Sequence, residues 1–300
     1  MDLSIIILNY KQKGLVKQCL KGILAAAINL NYEIIVVDND SGDDCLKMVK
    51  EQFLGIENNY SSDKTQTKEW SMPKQKTIFL KQELKQKLDI KTIQAKKNLG
   101  FAAGNNLGIK IAQGKYILIL NPDIAIVSNV LEKMFEFMEN YPKVGVCGPK
   151  LINPDGSVQY SRRRFPSWRI PLYRRTFLGK LPFAKKTLNY YLMTEKNHNN
   201  NQKVDWLFGA CLMIRKKVID QIGAFDERFF MYFEDLDLCR RIWQTGFEVY
   251  YLAEVEMIHY HQRLSAEKSG LFGLFNKAAR IHLSSGIKYF AKYLGVKSPR

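Results

Sequence analysis

Short apolar strands alternate with amphipathic helices through the first half of the chain, and this order restricts the fold more than any other feature. Residues 3–9 (LSIIILN), 33–38 (EIIVVD) and 116–120 (YILIL) form apolar runs typical of strands buried on both faces. Between the first two runs, residues 14–27 place apolar side chains at helical spacing. This alternation predicts an α/β fold with a parallel, doubly wound sheet and helices on both faces.

Polar residues follow each of these predicted strands. Asn9 and Tyr10 come after the first strand, Asp38 ends the second, and Asn121 and Asp123 come after the third. Ligands bind at the carboxyl ends of the strands in such sheets, so we expect these residues to lie at one edge. One carboxylate there can hydrogen-bond a ribose or base, and another can hold a divalent cation against a diphosphate. A turn or helix-cap role for each acid is the alternative interpretation.

The segment NLGFAAGNN, residues 98–106, lies between these strands. Glycines such as Gly100 let the backbone approach a ligand closely, and Asn98 and Asn105 can bind amide or hydroxyl groups. The segment does not match the GxGxxG pattern, and no such pattern follows the first strand, which disfavours a dinucleotide-binding protein. The alternative is a helix that packs through its small residues.

Acidic residues at positions 234, 235 and 237 begin a predicted helix directly after four aromatic residues in the range 229–233. The helix dipole stabilises acidic residues at a helix N-terminus, so one interpretation gives these three acids a purely structural role. An acid on the rim of an aromatic cleft also meets the requirement for a general base.

Two histidines, His259 and His261, follow the predicted strand 247–252 and would share a face if extended. Such a pair indicates either metal ligation or an ordinary polar loop.

The chain is strongly basic, with 46 Lys and Arg against 29 Asp and Glu, which gives a net charge of +17. This excess favours a polyanionic partner: nucleic acid, an anionic membrane face or a phosphorylated substrate. Residues 156–194 contain no acid but nine Lys or Arg and eight aromatics, a composition that favours an anionic lipid interface or a phosphorylated chain. Single-stranded nucleic acid and a buried aromatic subdomain with basic edges are the alternatives.

Cysteine usage and the N-terminal residues predict the compartment. Five scattered cysteines without a CxxC pair indicate reduced thiols in a cytosol-like environment. The sequence enters its first apolar run without a basic region or cleavage site, and no apolar run approaches the roughly 20 residues that cross a bilayer. We therefore expect a cytoplasmic protein that could contact the membrane peripherally.

Taken together, these motifs resemble the family 2 glycosyltransferases with a GT-A fold, most closely the bacterial rhamnosyltransferase-like members. The resemblance implies a Rossmann-like, mostly parallel central sheet with helices on both faces. The motifs that carry it are SIIILNY (4–10), EIIVVDNDSGD (33–43), NLGFAAGNN (98–106), LILNPDI (118–124), VDWLFGACLMIRK (204–216) and GAFDERFFMYFEDLDLCRRIWQTGF (223–247).

The resemblance also implies an organisation along the chain. Residues 1–262 would form the catalytic domain, interrupted by a polar insertion at 57–92 and by a basic, aromatic acceptor-side insertion at 156–203. Residues 263–300 would form a tail of amphipathic helices.

Roles for single residues follow from the resemblance. Asn9, Tyr10 and Asp38 would hold the base and ribose of a nucleoside-diphosphate sugar. The full set that the resemblance places around this donor is Asn9, Tyr10, Asp38, Asn98, Gly100, Asn105 and Asn121.

The resemblance assigns the chemistry to a second set of residues. Asp123 and His259 would hold a divalent cation, Mg²⁺ or Mn²⁺, and Asp235 would be the catalytic base with Glu234 beside it. The first acid of the family's DxD motif is Asn121 in this chain, so Asp123 would supply most of the metal binding. We assign the acceptor side to Trp206, Arg162, Arg163 and Arg164.

The implied activity is inverting transfer of rhamnose or another hexose from a dTDP- or UDP-linked donor. The acceptor would be a hydroxyl of a saccharide or a polyprenyl-diphosphate-linked saccharide, made for cell-surface polysaccharide at an anionic membrane face. The competing hypothesis of a nucleic-acid-binding protein leaves the acids unexplained and lacks any RNP, helix-turn-helix or zinc-finger pattern, so no nucleic acid is predicted as a partner. A glycosyltransferase-like binding module without activity is the third hypothesis.

Overall fold

The computed structural model describes residues 1–55, 89–260 and 277–300, and the predicted alternation of strands and helices is confirmed there. Strands β1–β11 cover Leu3–Asn9, Tyr32–Asp38, Ile90–Gln94, Tyr116–Leu120, Ile124–Ala125, Val144–Ile152, Arg162–Arg163, Gln202–Lys203, Trp206–Leu207, Cys211–Arg215 and Glu248–His259. Helices α1–α9 cover Lys13–Ala25, Cys45–Phe53, Gly100–Ile111, Val130–Asn140, Arg169–Arg175, Pro182–Leu192, Lys216–Ile222, Glu234–Gln244 and Lys277–Lys292, and a 3-10 turn covers Phe177–Lys180.

The central sheet has the strand order β3-β2-β1-β4-β10-β6-β11-β5. The first four strands in this order are parallel, as predicted, and β11 is parallel to β6. Strand β10 departs from the prediction, because it runs antiparallel to both of its neighbours. Cys211, where β10 begins, pairs with Leu120, where β4 ends. The start of β10 therefore lies at the same sheet edge as the carboxyl ends of the parallel strands.

Helices cover both faces of this sheet because its strands are apolar on both faces. In β1, Ile5 and Ile7 face a core shared with α1, α2 and α4, whereas Ile6 faces a core shared with α3, α7 and α8. Cys19 and Cys45 lie in the first of these cores. Burial raises the pKa of both thiols to about 12, so neither is a reactive nucleophile.

Several predicted boundaries differ from the structure. Serine is favoured at a helix N-cap, so the sequence predicts a helix that is capped by Ser128. The helix instead begins at Val130, and Asn129 precedes it with φ 64° and no side-chain cap. The strand predicted to end at residue 252 continues to His259. This length is possible because β6 and β8 both pair with β11.

The polar insertion and the tail are only partly described. Within the 57–92 insertion, residues 90–92 belong to β3, and positions up to 88 lie outside the described residues. In the described part of the tail, residues 277–300, Lys277–Lys292 form helix α9, and Tyr289 on it is buried in the second core. His261 and residues 264–276 lie outside the described part of the chain. Among the helices in the described ranges, none has the length and apolar composition needed to span a bilayer.

Candidate active site

The ends of β1 and β2 are joined through Asn9 and Asp38. The Asn9 side-chain amide donates to Asp38 Oδ1 at 2.7 Å and to Ser41 Oγ at 2.9 Å, and Gln94 Nε2 donates to Asp38 Oδ2 at 2.8 Å. Burial alone would raise the pKa of the Asp38 carboxyl, but the hydrogen bonds from Ser41, Gln94 and Asn9 outweigh burial and hold this pKa below its ordinary value. Tyr10 is 41% exposed beside this cluster. This edge of the sheet therefore presents the Asp38 carboxylate, a hydrogen-bond acceptor held in place by its donors, next to the accessible ring of Tyr10.

Asn39, which the sequence analysis did not single out, connects this cluster to the NLGFAAGNN segment. Its side-chain amide donates to Asn98 Oδ1 at 3.1 Å and to the Gly100 carbonyl at 3.0 Å, and its Oδ1 accepts from the Leu99 amide at 2.9 Å. The position of Asn39 directly after Asp38, at the end of a predicted strand, was the sequence feature that could have identified it as a site residue. Asn105 is buried, and its amide donates to the Phe101 carbonyl at 2.9 Å within α3.

Gly100 brings the start of α3 against the loop that precedes α8. Its φ of 82° is in the left-handed region, and the Phe101 amide next to it donates to the Phe230 carbonyl at 2.6 Å. A Cβ at position 100 would overlap the Phe230 carbonyl oxygen and ring. Only glycine tolerates both the positive φ at position 100 and the close approach of the Phe230 backbone.

We expect Gly100→Ala to lower the free energy of unfolding by roughly 2–4 kcal/mol, because it combines a strained φ with a backbone clash. Urea unfolding followed by circular dichroism measures this change. Gly22→Ala in α1 is the matched control, since no atom lies within 4 Å of its Cβ position, and it should leave stability unchanged or raise it. Equal stability of the two variants would contradict the close approach at Gly100.

Asp235 lies at the start of α8 and reaches back to the sheet edge. The Gly209 amide donates to its Oδ2 at 2.9 Å, and the Leu236 amide donates to its Oδ1 at 2.8 Å. Gly209 is two residues before Cys211, so the antiparallel strand β10 is what brings this amide to the site. Asp235 is partly exposed, whereas Glu234 beside it is buried.

The two neighbouring acids differ in their electrostatic environment. Burial raises the pKa of Asp235, and the amides of Gly209 and Leu236 and the charge of Arg163 oppose this rise. Burial and the nearby Asp235 charge raise the pKa of Glu234 well above its ordinary value. Because Glu234 is buried and Asp235 is partly exposed, Asp235 is the member of the pair that a substrate can reach as a base.

The turn that leads into Asp235 is strained and is packed against α9. Tyr232 and Phe233 both have φ of 69°, which costs roughly 1–3 kcal/mol for each non-glycine residue. The Phe233 ring lies 5.2 Å from His282 and 5.6 Å from Tyr289 between ring centroids, and the Ser285 hydroxyl donates to the Met231 carbonyl at 2.9 Å. These contacts with α9 hold the turn in its conformation.

Asp123 and His259 meet beyond the end of β4. Asp123 Oδ1 lies 3.4 Å from His259 Nε2, and the Asp123 carbonyl accepts from the Tyr260 amide at 2.9 Å. Gln159, which the sequence analysis missed, contacts His259 Nδ1 through its Oε1 at 2.9 Å, while its amide donates to Asn153 Oδ1 and to the His259 carbonyl. The Gln159 carbonyl oxygen can only accept, so Nδ1 is the donor in this contact, and Nε2 faces Asp123.

A carboxylate oxygen beside an imidazole nitrogen is a donor set that suits a divalent cation. Within residues 1–55, 89–260 and 277–300, no group of three or more His, Cys, Asp or Glu could hold a metal. Asp123 and His259 would therefore supply at most two ligands, and Mg²⁺ or Mn²⁺ would need oxygens from water or from a substrate diphosphate. The residues fit a cation that is shared with a phosphorylated substrate.

Direct contacts link these parts around one sheet edge. The backbone amide of Asn121 donates to the Ala210 carbonyl at 2.8 Å. Ala210 directly follows Gly209, whose backbone amide donates to the Asp235 carboxylate. A Cβ at Gly209 would lie 3.4 Å from both Asp235 Cβ and the Phe101 ring. The Gly209–Ala210 segment therefore connects Asp235 with Asn121 and with Phe101.

The four residues assigned to the acceptor side occupy different environments. Arg162 is fully buried, and its guanidinium donates to the Lys196 carbonyl at 3.0 Å. Arg163 lies over the Phe208 ring at 4.4 Å, and its charge acts on Asp235. Trp206 is 6% exposed and donates to the Arg164 carbonyl at 2.9 Å. Arg163 is thus the member of this set that approaches the candidate base.

Comparison with known proteins identifies the family to which the chain belongs. The model of glycosyl transferase family 2 matches residues 4–60 and 76–223. The N-acetylglucosaminyl-diphospho-decaprenol L-rhamnosyltransferase of Mycobacterium tuberculosis is 33% identical over 146 residues, which are 48% of this chain and 47% of that protein. The matched region thus spans about half the length of that relative. The rhamnosyltransferase WbbL of Escherichia coli is 28% identical over 206 residues, which are 64% of this chain and 70% of that protein.

A solved structure agrees with the fold. The crystal structure of GalNAc-T7 with UDP, GalNAc and Mn²⁺ superimposes with a TM-score of 0.55 at 13% identity, covering 87% of this chain and 44% of that one. This similarity confirms the predicted GT-A type of α/β fold. The match to the family model shows that the chain belongs to glycosyl transferase family 2.

Proposed function

We propose that the chain is an inverting glycosyltransferase that moves rhamnose or another hexose from a dTDP- or UDP-linked donor to an acceptor hydroxyl. The observation that carries this proposal is the partly exposed Asp235 carboxylate, fixed by the Gly209 and Leu236 amides at the sheet edge. Its contact with Gly209, next to the Ala210 carbonyl that accepts from the Asn121 backbone amide, supports a base close to the end of β4.

Asp235 acts as the general base in the proposed reaction. Its carboxylate takes the proton of the acceptor hydroxyl while that oxygen bonds to the anomeric carbon from the face opposite the nucleotide. The bond from the anomeric carbon to the diphosphate oxygen breaks, and the diphosphate leaves with the electron pair. One displacement inverts the anomeric configuration and needs no covalent intermediate.

The residues at the strand ends bind the donor in this proposal. Asn9, Tyr10 and Asp38 hold the base and ribose, and Asn98 and the start of α3 lie against the nucleotide or sugar. Asp123 and His259 hold the divalent cation, which when bound neutralises charge on the leaving diphosphate. The Mn²⁺ and UDP in the similar GalNAc-T7 structure support a cation in this role.

A donor screen tests this function. Nucleotide release is measured from a panel of dTDP- and UDP-sugars, with and without Mn²⁺, in the presence of lipid-linked saccharide acceptors. One donor should be turned over only when an acceptor and the cation are both present. No release from any donor would leave the chain as a binding module and would refute the proposal.

We further propose that the acceptor is a lipid-linked saccharide for cell-surface polysaccharide and that the enzyme binds it at the cytoplasmic face of the membrane. The lipid-linked substrate in the name of the Mycobacterium relative supports this acceptor class. The α5–α6 region supplies the membrane contact, because large apolar rings stand in solvent there without any acid. Their exposed fractions are 64% for Trp168, 76% for Phe177, 57% for Phe183 and 62% for Tyr190.

We expect the double variant Trp168→Ser and Phe177→Ser to weaken binding to vesicles that contain anionic lipid by at least about tenfold, because each ring contributes apolar area to the bilayer interface. Flotation of the protein with phosphatidylglycerol vesicles measures this effect. Val127→Ser, which removes an apolar side chain that is 48% exposed elsewhere, should float as the unmodified protein does. Equal flotation of all three proteins would place the membrane contact elsewhere.

A further inference from the structure

Helix α9 and Phe230, in the loop that leads to Asp235, line an open groove of about 330 Å³. Phe230 forms one wall, and α9 forms the other with Lys277, Arg280, Ser284 and Lys288. The spacing of these four residues, three or four positions apart, puts them on one side of the helix. Each of the four is exposed.

The groove is cationic. Three of the residues named on the α9 wall carry a positive charge, and no acid is among the described residues that line it. Lys288 donates to the Arg228 carbonyl at 2.8 Å, which fixes one end of the groove. Lys292, the remaining cation of α9, instead pairs with Asp226 and Asp237. Within the described ranges, Lys277 and Arg280 have no acidic partner, so their charges are available to an anion.

The lining of the groove separates it from the proposed cation site, because neither Asp123 nor His259 is among the described residues that line it. Its Phe230 wall contacts Gly100 and Phe101. The proposed donor, a nucleotide sugar, has no aliphatic tail, so a ligand that combines an anion with such a tail would be the acceptor.

An apolar strip borders the cationic face of α9. Leu283 is 45% exposed and Ile287 is 63% exposed, and they follow Arg280 by three and seven positions, so they lie next to it along the helix. Cations beside exposed aliphatic side chains match a ligand that has a phosphate head and an aliphatic tail.

We propose that this groove binds the phosphate or diphosphate that links the acceptor saccharide to its lipid. Arg280 and Lys277 pair with the phosphate oxygens, and the strip of Leu283 and Ile287 supports the first part of the lipid. This inference rests on the proposed function, and it adds the binding site that selects a charged, lipid-linked acceptor over a neutral sugar.

Farnesyl diphosphate is a probe that tests the groove without turnover. Its binding is measured by calorimetry in EDTA, so that a site that depends on a divalent cation does not contribute. We expect Arg280→Glu to weaken this binding by at least about tenfold, because a charge-assisted contact becomes a repulsion. Lys133→Glu, a charge reversal at an exposed position of α4, is the matched control and should bind as the unmodified protein does.

Two results would overturn the proposal in this measurement. Unchanged affinity of the Arg280→Glu variant for farnesyl diphosphate would exclude the cationic face of α9 as the site that binds the diphosphate. Inorganic pyrophosphate bound as tightly as farnesyl diphosphate would exclude the lipid contact at Leu283 and Ile287.

Transfer kinetics provide the second test and separate this inference from the proposed function. Two acceptors carry the same N-acetylglucosamine, one on a diphosphate lipid and one as a neutral alkyl glycoside. Arg280→Glu should raise the KM of the diphosphate acceptor about tenfold and leave the KM of the glycoside unchanged. Equal effects on both acceptors would refute the groove as a binding site for the acceptor diphosphate and would leave the proposed function intact. Absence of transfer in the unmodified protein would refute the proposed function, and calorimetry would still decide the groove.

Discussion

Replacing Asp235 by asparagine is expected to lower the rate of sugar transfer by about 10³-fold, the contribution of a well-placed general base. Asparagine keeps the size of the side chain, and its carbonyl oxygen can still accept the hydrogen bond from the Gly209 amide, which spans 2.9 Å in the unmodified protein. It cannot take a proton from the acceptor hydroxyl. Binding of the nucleotide sugar should remain within about twofold, because the carboxylate contacts the acceptor rather than the donor in the proposed reaction.

Transfer rate and nucleotide affinity are measured on the same preparations, by nucleotide release and by calorimetry. Asp220→Asn in α7 is the matched control, because this carboxylate is 61% exposed and, among the described residues, pairs with Lys216 alone, four residues earlier. It should retain the full rate. An Asp235→Asn variant with a near-normal rate would remove Asp235 from its role as base.

The pH dependence supplies an independent signature of the same residue. Burial raises the pKa of Asp235, so its base form is lost as the pH falls through this raised pKa. The rate should decline on the acidic side at a higher pH than an exposed aspartate would produce. The residual rate of Asp235→Asn should lack this decline.

Replacing Asp123 by alanine is expected to lower kcat/KM by at least about 10²-fold, because the variant loses the carboxylate proposed to hold the cation at the leaving diphosphate. His259 alone is a weak site for Mg²⁺, which prefers oxygen ligands. Nucleotide affinity should also stop responding to added Mn²⁺.

The measurement compares nucleotide binding and transfer with Mn²⁺ and with EDTA. The unmodified protein in EDTA should match Asp123→Ala in either condition, since both lack the bound cation. Asp220→Ala should respond to Mn²⁺ as the unmodified protein does. A cation response that survives in Asp123→Ala would place the metal on other residues.

Apolar periodicity predicted the central part of the fold because burial on two faces leaves a direct trace in the sequence. Strands β1, β2 and β4 and helix α1 were located from this trace to within one or two residues. The direction of β10 was not predictable in this way, because apolar residues fill a buried strand equally well in either direction. That direction brings Gly209 to Asp235, so periodicity alone could not build this part of the site.

The composition of residues 156–194 did not predict whether an individual arginine side chain is buried or exposed. Arg162 belongs to a segment with no acids and many aromatics, yet it is fully buried, 5.1 Å from the Tyr251 ring centroid, and bonded to backbone carbonyls. Asn39 and Gln159 were missed for a related reason. A side-chain amide that connects two loops has no periodicity, and its partners lie 59 and 100 positions away along the chain.

The packing of α9 against the Tyr232–Phe233 turn has a consequence for biosynthesis. The ribosome completes the sheet and the residues of α8 before it adds the helix that holds this turn in place. We therefore expect a nascent polypeptide that lacks α9 to form the sheet without the contacts that fix the turn before Asp235, the proposed base. In the proposed function, early release of such a polypeptide would yield a product that does not transfer sugar.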